Sequence, residues 1–165
     1  PKLIKKVFLF NPYNYDRYFG EGISRGNLFA KFILFNISLP LIGSFFSRLE
    51  NKFILKNIMK GGFFNNHNLS DEYLKLLSSS VKKENYTFHF RNVLFNSKSW
   101  ANTKSLYAKI KAPIKLTYGS NDWATKKERS ETADLLKVND FTEIDNCGHF
   151  SFLDKPKEVA NILLS

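Results

Sequence analysis

A chain of 165 residues, 43% of them hydrophobic and 24% charged, carries enough apolar side chains for one packed domain or a piece of a larger one, and is not compositionally disordered. Its single cysteine excludes an internal disulfide and suits a reducing, cytoplasmic setting. The formal net charge of +10 raises nucleic acid or an anionic membrane as a partner, but the basic residues are scattered as on a solvated surface, without an arginine-rich stripe, zinc-ligand spacing or aromatic ladder, and no nucleic acid binding is expected.

Residues 3–10 form a short apolar run, the pattern of a strand covered on both faces in a parallel sheet, which turns at Asn11-Pro12. Because so buried a strand opens the chain and no initiator Met precedes it, more chain is expected upstream. The loop over residues 11–16 is rich in turn formers and carries Asp16. Residues 23–46 are dominated by apolar side chains, helical in character over 28–35 and then punctuated by Pro40 and Gly43. A membrane span needs about 20 uninterrupted apolar residues. Lys31, Asn36, Ser38, Pro40 and Gly43 break this stretch, so no stable span is expected. Two readings stay open for it. It forms helices that cover an apolar pocket, which the scarcity of basic residues within it favours, or a surface in peripheral contact with a membrane.

Residues 53–59 read as another helix closed by Gly61-Gly62. Ser70, followed by Asp71 and Glu72, opens a further helix whose Tyr73, Leu74, Leu77 and Val81 share a face. Residues 88–95 and 100–110 extend the helical territory. His67 and His89 have no partners at metal-ligand spacing and read as surface or packing residues. Roughly ninety residues therefore separate the first strand from the next, far more than a simple crossover needs. Residues 113–118 form that second strand, entered by Pro113 where no ladder donor is required. A crossover helix follows over 123–137, with Thr132, Leu135 and Leu136 inward, then a strand over 141–144 and a closing helix after Pro156. This order predicts an α/β fold built on a parallel sheet.

The second and third strands each end in a glycine-containing loop with an ionisable side chain: Gly119-Ser120-Asn121-Asp122 and Asp145-Asn146-Cys147-Gly148-His149-Phe150. A carboxylate on one ring nitrogen of a histidine fixes its tautomer and leaves the other nitrogen to take a proton from a nucleophile. Asp122 and His149 are thus the candidate acid and base. Singly, such an Asp is more often a turn residue and such a His more often structural; the signal lies in the pair. Cys147 is not expected to be a nucleophile toward so close a neighbour on a tight turn. Neither cofactor nor metal is indicated.

Together, residues 112–122, the run Asn146-Cys147-Gly148-His149-Phe150 and Pro156 resemble the C-terminal half of a capped α/β-hydrolase, in which the acid follows the seventh strand and the histidine the eighth. The resemblance implies a partial α/β-hydrolase fold: a three-stranded parallel sheet portion, equivalent to the sixth to eighth strands, with a large helical cap insertion. It implies core elements in residues 1–19 and 100–165 and a cap over 20–99. It further implies Asp122 and His149 as acid and base of a nucleophile–His–acid triad acting on a small apolar molecule such as an ester. Asp16 is a reserve acid, since some branches take theirs from the loop after the sixth strand. The nucleophile motif, G-x-S-x-G or its Asp version, has no counterpart: Gly43-Ser44-Phe45-Phe46-Ser47 lacks the second glycine, and Gly119-Ser120-Asn121 belongs to the acid loop. The oxyanion-hole segment is missing as well. Hydrolysis is therefore expected of an intact parent and not of this chain alone. The alternative is a non-catalytic truncated relative that binds an apolar ligand or partner.

Overall fold

The computed structural model describes residues 3–12, 21–96, 99 and 102–165. Strands β1 (Val7–Phe10), β2 (Ile114–Gly119) and β3 (Thr142–Ile144) form a parallel sheet in the order β1-β2-β3. Val7 lies opposite Ile114 and Phe10 opposite Thr117, while Thr117 also faces Thr142. β1 is shorter than its apolar run: Leu3 and Ile4 are exposed, Lys5 and Lys6 follow, and pairing starts at Val7. The Val7 N–H donates to the Pro113 carbonyl at 2.8 Å, so Pro113 contributes an acceptor at the position where its missing N–H costs nothing.

Between β1 and β2 lie α1 (Glu21–Gly26), α2 (Leu28–Ser38), α3 (Gly43–Arg48), α4 (Lys52–Lys60), α5 (Asp71–Ser80) and α6 (Tyr86–Phe95). Short polar side chains start several of them. Asn27 accepts from the Ala30 N–H, Asn51 from Phe53 and Ile54, and Ser70 from Tyr73, each satisfying donors the first turn leaves unpaired. The helix expected over residues 100–110 is a 3₁₀ turn over Thr103–Lys109, and Trp100 lies outside the described residues. The Ser105 hydroxyl donates to the Asn102 carbonyl, the local side-chain bonding that competes with a regular helix.

After β2 comes α7 (Lys126–Leu136), opened by a reciprocal Thr125/Glu128 capping box and ended by Lys137 in the left-handed region. Thr132 and Leu136 of α7 are buried as expected and Leu135 is half-buried, while Arg129 and Ala133 join the buried face. Leu116, Tyr118, Ala124, Ala133 and Leu136 make the core between β2 and α7. After β3 a short α8 (Ser151–Asp154) leads into α9 (Pro156–Leu164), which buries Val159 against Ile144 and Cys147. A further apolar cluster, Phe63, Leu69 and Leu74 with Phe150 and Leu153 against it, fastens the helical insertion to the loop after β3.

Candidate functional site

The loops after β2 and β3 are laced together by their backbones. Ser120 N–H donates to the Ile144 carbonyl and Asn121 N–H to the Cys147 carbonyl, both at 2.9 Å. Such close approach requires glycine: a Cβ on Gly119 would run into the carbonyls of Cys147 and Gly148, and one on Gly148 into the Gly62 carbonyl. The loops therefore hold Asp122 and His149 side by side. Asp122 Oδ1 accepts from the Ala124 N–H at 2.7 Å, a local turn that fixes the carboxylate. Its Oδ2 lies 2.7 Å from His149 Nδ1, with the Asp122 side chain 1% exposed and that of His149 21%.

Several residues that the sequence did not single out position this pair. The Trp123 indole stacks on the His149 ring, centroids 4.0 Å apart and 15° between planes, and its Nε1–H donates to the Gly61 carbonyl at 2.8 Å. Trp123 thus ties the imidazole to the helical insertion. Asn11, at φ 45°, sits where β1 ends and clasps both loops. Its side-chain amide donates to the His149 carbonyl and to Ser151 Oγ (3.1 Å), while its carbonyl accepts from the Gly119 N–H at 2.9 Å. Arg129, buried on α7, donates to the Ala124 carbonyl (2.9 Å), the Ser120 carbonyl (3.3 Å) and Glu143 (2.6 Å), bracing the acid loop from below. Buried Asp154 accepts from the N–H groups of Phe64 and Gly148 at 2.7 and 2.8 Å and from the Asn68 amide, pinning the insertion to the histidine loop. The only advance signal for Asn11 was an Asn-Pro turn, and nothing in a linear reading pairs Asp154 with Phe64.

Asp16 lies outside the described residues. Cys147 is buried, and burial pushes its thiol up to about 12, which keeps it protonated and out of nucleophilic chemistry. His67 and His89 are exposed and far apart in the chain, and among the described residues no cluster of His, Cys, Asp and Glu could hold a metal. No described residue hydrogen-bonds His149 Nε2. A cavity of about 300 Å³ has His149 in its lining and is otherwise walled mainly by Phe10, Tyr73, Phe152 and Leu153. Larger hollows, about 510 Å³ beside α2 and about 570 Å³ beside Glu50, include neither Asp122 nor His149.

No family model and no curated protein sequence matches the chain. Among solved structures it is similar to a serine hydrolase from the polyaromatic-hydrocarbon-degrading bacterium Cycloclasticus zankles, at 15% identity and a TM-score of 0.66. The match covers 96% of this chain and 53% of that one, so the chain spans about half the length of its structural neighbour. The likeness is one of fold: three parallel strands with a large helical insertion form part of an α/β-hydrolase fold.

Proposed function

We propose that the chain carries the acid and base of a hydrolase, Asp122 orienting His149 and His149 acting as general base toward a nucleophile. The observation that carries this reading is the 2.7 Å contact from His149 Nδ1 to a buried carboxylate anchored at its other oxygen. With the Nδ1 proton held by Asp122, Nε2 is left to accept the proton of an attacking hydroxyl and then to return it to the departing alkoxide. A second round with water in place of the alcohol releases the acyl group and restores the nucleophile. The Asp122 carboxylate stabilises the imidazolium formed between these steps. The apolar walls beside His149 suit a small apolar acyl or alkyl group, and the helical insertion, pinned there through Trp123 and Asp154, serves as a cap over it.

Since G-x-S-x-G is absent from residues 1–165, the nucleophile of this scheme belongs to a longer parent chain. The test is hydrolysis of p-nitrophenyl esters by the product of any longer reading frame that includes residues 1–165, beside residues 1–165 alone. We expect turnover from the longer product, reduced at least ~10³-fold by His149→Ala and also strongly by Asp122→Asn, and none from residues 1–165. Unchanged turnover in His149→Ala would sink the assignment, and His149-dependent turnover by residues 1–165 would sink the external nucleophile. The missing motif also favours a second reading, a non-catalytic relative that binds an apolar ligand; a longer frame without any nucleophile would select it.

A further inference from the structure

Helix α2 is apolar on two faces, and only one of them is used. Ala30, Ile33, Leu34 and Ile37 are buried in the insertion, whereas Leu28, Phe32 and Phe35 are 83%, 57% and 63% exposed. These three recur at the spacing of one helical stripe. The stripe continues into α3: Phe32 meets Phe46 edge-on at 6.4 Å, Phe46 meets Phe45 at 5.8 Å, and Phe45 and Leu41 are themselves exposed. Scattered exposed apolar residues are ordinary on a protein surface, but a continuous row of large ones marks an interaction face. None of the residues that wall the cavity beside His149 belongs to it.

The charge around this face is one-sided. Between Glu21 and Asp71 the chain has one acid, Glu50, which is buried, against Arg25, Lys31, Arg48, Lys52, Lys56 and Lys60. Arg25 is engaged by Glu21 and Glu128, and Lys52 and Lys56 lie by Asp71, leaving Lys31, Arg48 and Lys60 to set the local field. Lys31 lines the α2 groove beside Phe32 and Phe35, and Lys60 shares a hollow with Phe29 at its flank. No helix among the described residues is long and apolar enough to cross a membrane. An apolar row rimmed by lysines, on helices too short to span, has the design of a face that lies in the headgroup region.

We propose that the α2–α3 face is a docking surface for an anionic lipid bilayer, with Leu28, Phe32, Phe35 and Phe45 entering the acyl boundary and Lys31 and Lys60 meeting lipid phosphates and carboxylates. Apolar burial and counter-charge then act together, so binding depends on lipid charge and on salt.

The test is flotation of the 165-residue chain with vesicles of phosphatidylcholine alone or containing about 30% phosphatidylserine. Capture by the anionic vesicles is expected to exceed that by neutral ones roughly tenfold and to fall in high salt. Phe32→Ser with Phe35→Ser should abolish it with the far-UV spectrum unchanged. An environment-sensitive dye on Phe35→Cys should shift blue with anionic vesicles, while the same dye on Glu131→Cys should not; buried Cys147 stays unlabelled. Absence of capture at low salt, equal capture of the double variant, or no dye shift at position 35 overturns the proposal. So does a dimer in sedimentation that the double variant dissolves while wild type ignores vesicles, because a second copy would then be what covers the face.

Discussion

Glu50 is the side chain most at odds with its surroundings. It is buried at the end of α3, Oε2 has no hydrogen-bond partner, and the Tyr86 hydroxyl is its main polar neighbour. Burial pushes its carboxyl up to about 7 from an ordinary 4.5, partly opposed by the hydrogen bond from Tyr86. The same burial, together with the nearby Glu50 charge, raises the Tyr86 phenol. Arg48, Lys82 and Lys83 rim the hollow outside without pairing with the carboxyl. A folded-state pKa above the unfolded one means that the neutral acid is favoured on folding. Its stabilising contribution is complete below the ordinary carboxyl range and disappears as pH rises through about 7. The difference is on the order of 3 kcal/mol. Thermal midpoints should therefore fall between about pH 5 and about pH 8 in wild type, and Glu50→Gln should flatten that slope. An identical slope in the variant would show that other groups carry it.

At the scale of elements, β1 is the exposed flank. Its inner edge pairs with β2, and among the described residues no strand pairs with its outer edge. Such an edge carries a row of unpaired N–H and C=O groups, in this case on the apolar sequence Val7-Phe8-Leu9-Phe10. The 165-residue chain alone should self-associate in a concentration-dependent manner, and sedimentation velocity over a tenfold dilution series would reveal it. A monomer with one sharp thermal transition would contradict that. Much at this scale was legible beforehand. Ser70 as a cap, the helix around Phe53 and the parallel order of the strands all follow from local chemistry that tertiary contacts reinforce. The departures from expectation have causes of their own. They are local in both cases: pairing in β1 starts only after Lys5 and Lys6, and over residues 103–109 the Ser105 hydroxyl bonds back to the Asn102 carbonyl in competition with a regular helix. The insertion is also strapped to the core in a way no linear pattern encodes: Arg25 reaches from α1 to Glu128 at 2.7 and 2.8 Å, where the carboxylate already caps α7, and these bonds hold Glu128 down to about 2.

For the whole molecule, the separation in sequence of the contacting groups matters as much as their chemistry. Asp122 and His149 could be nominated from sequence because each follows a strand in a glycine-bearing loop, and their side chains are 27 residues apart along the chain. Asn11 could not, because its partners lie 108 to 140 residues away and nothing near Asn11 announces them. The same contrast sets an order of assembly. A loop of a few dozen residues closes at lower entropic cost than one of well over a hundred, so the paired loops after β2 and β3 should form first and the Asn11 clasp last. Partial opening runs the other way, releasing β1 before the neighbouring strands separate. In native-state hydrogen exchange, the Asn11 amide, bonded to the Thr117 carbonyl, should exchange faster than those of Ser120 and Asn121; the reverse order would place the late step elsewhere. A chain that has shed its first strand would then still hold the His149 imidazole against the Asp122 carboxylate, keeping the two side chains in register while the sheet edge opens.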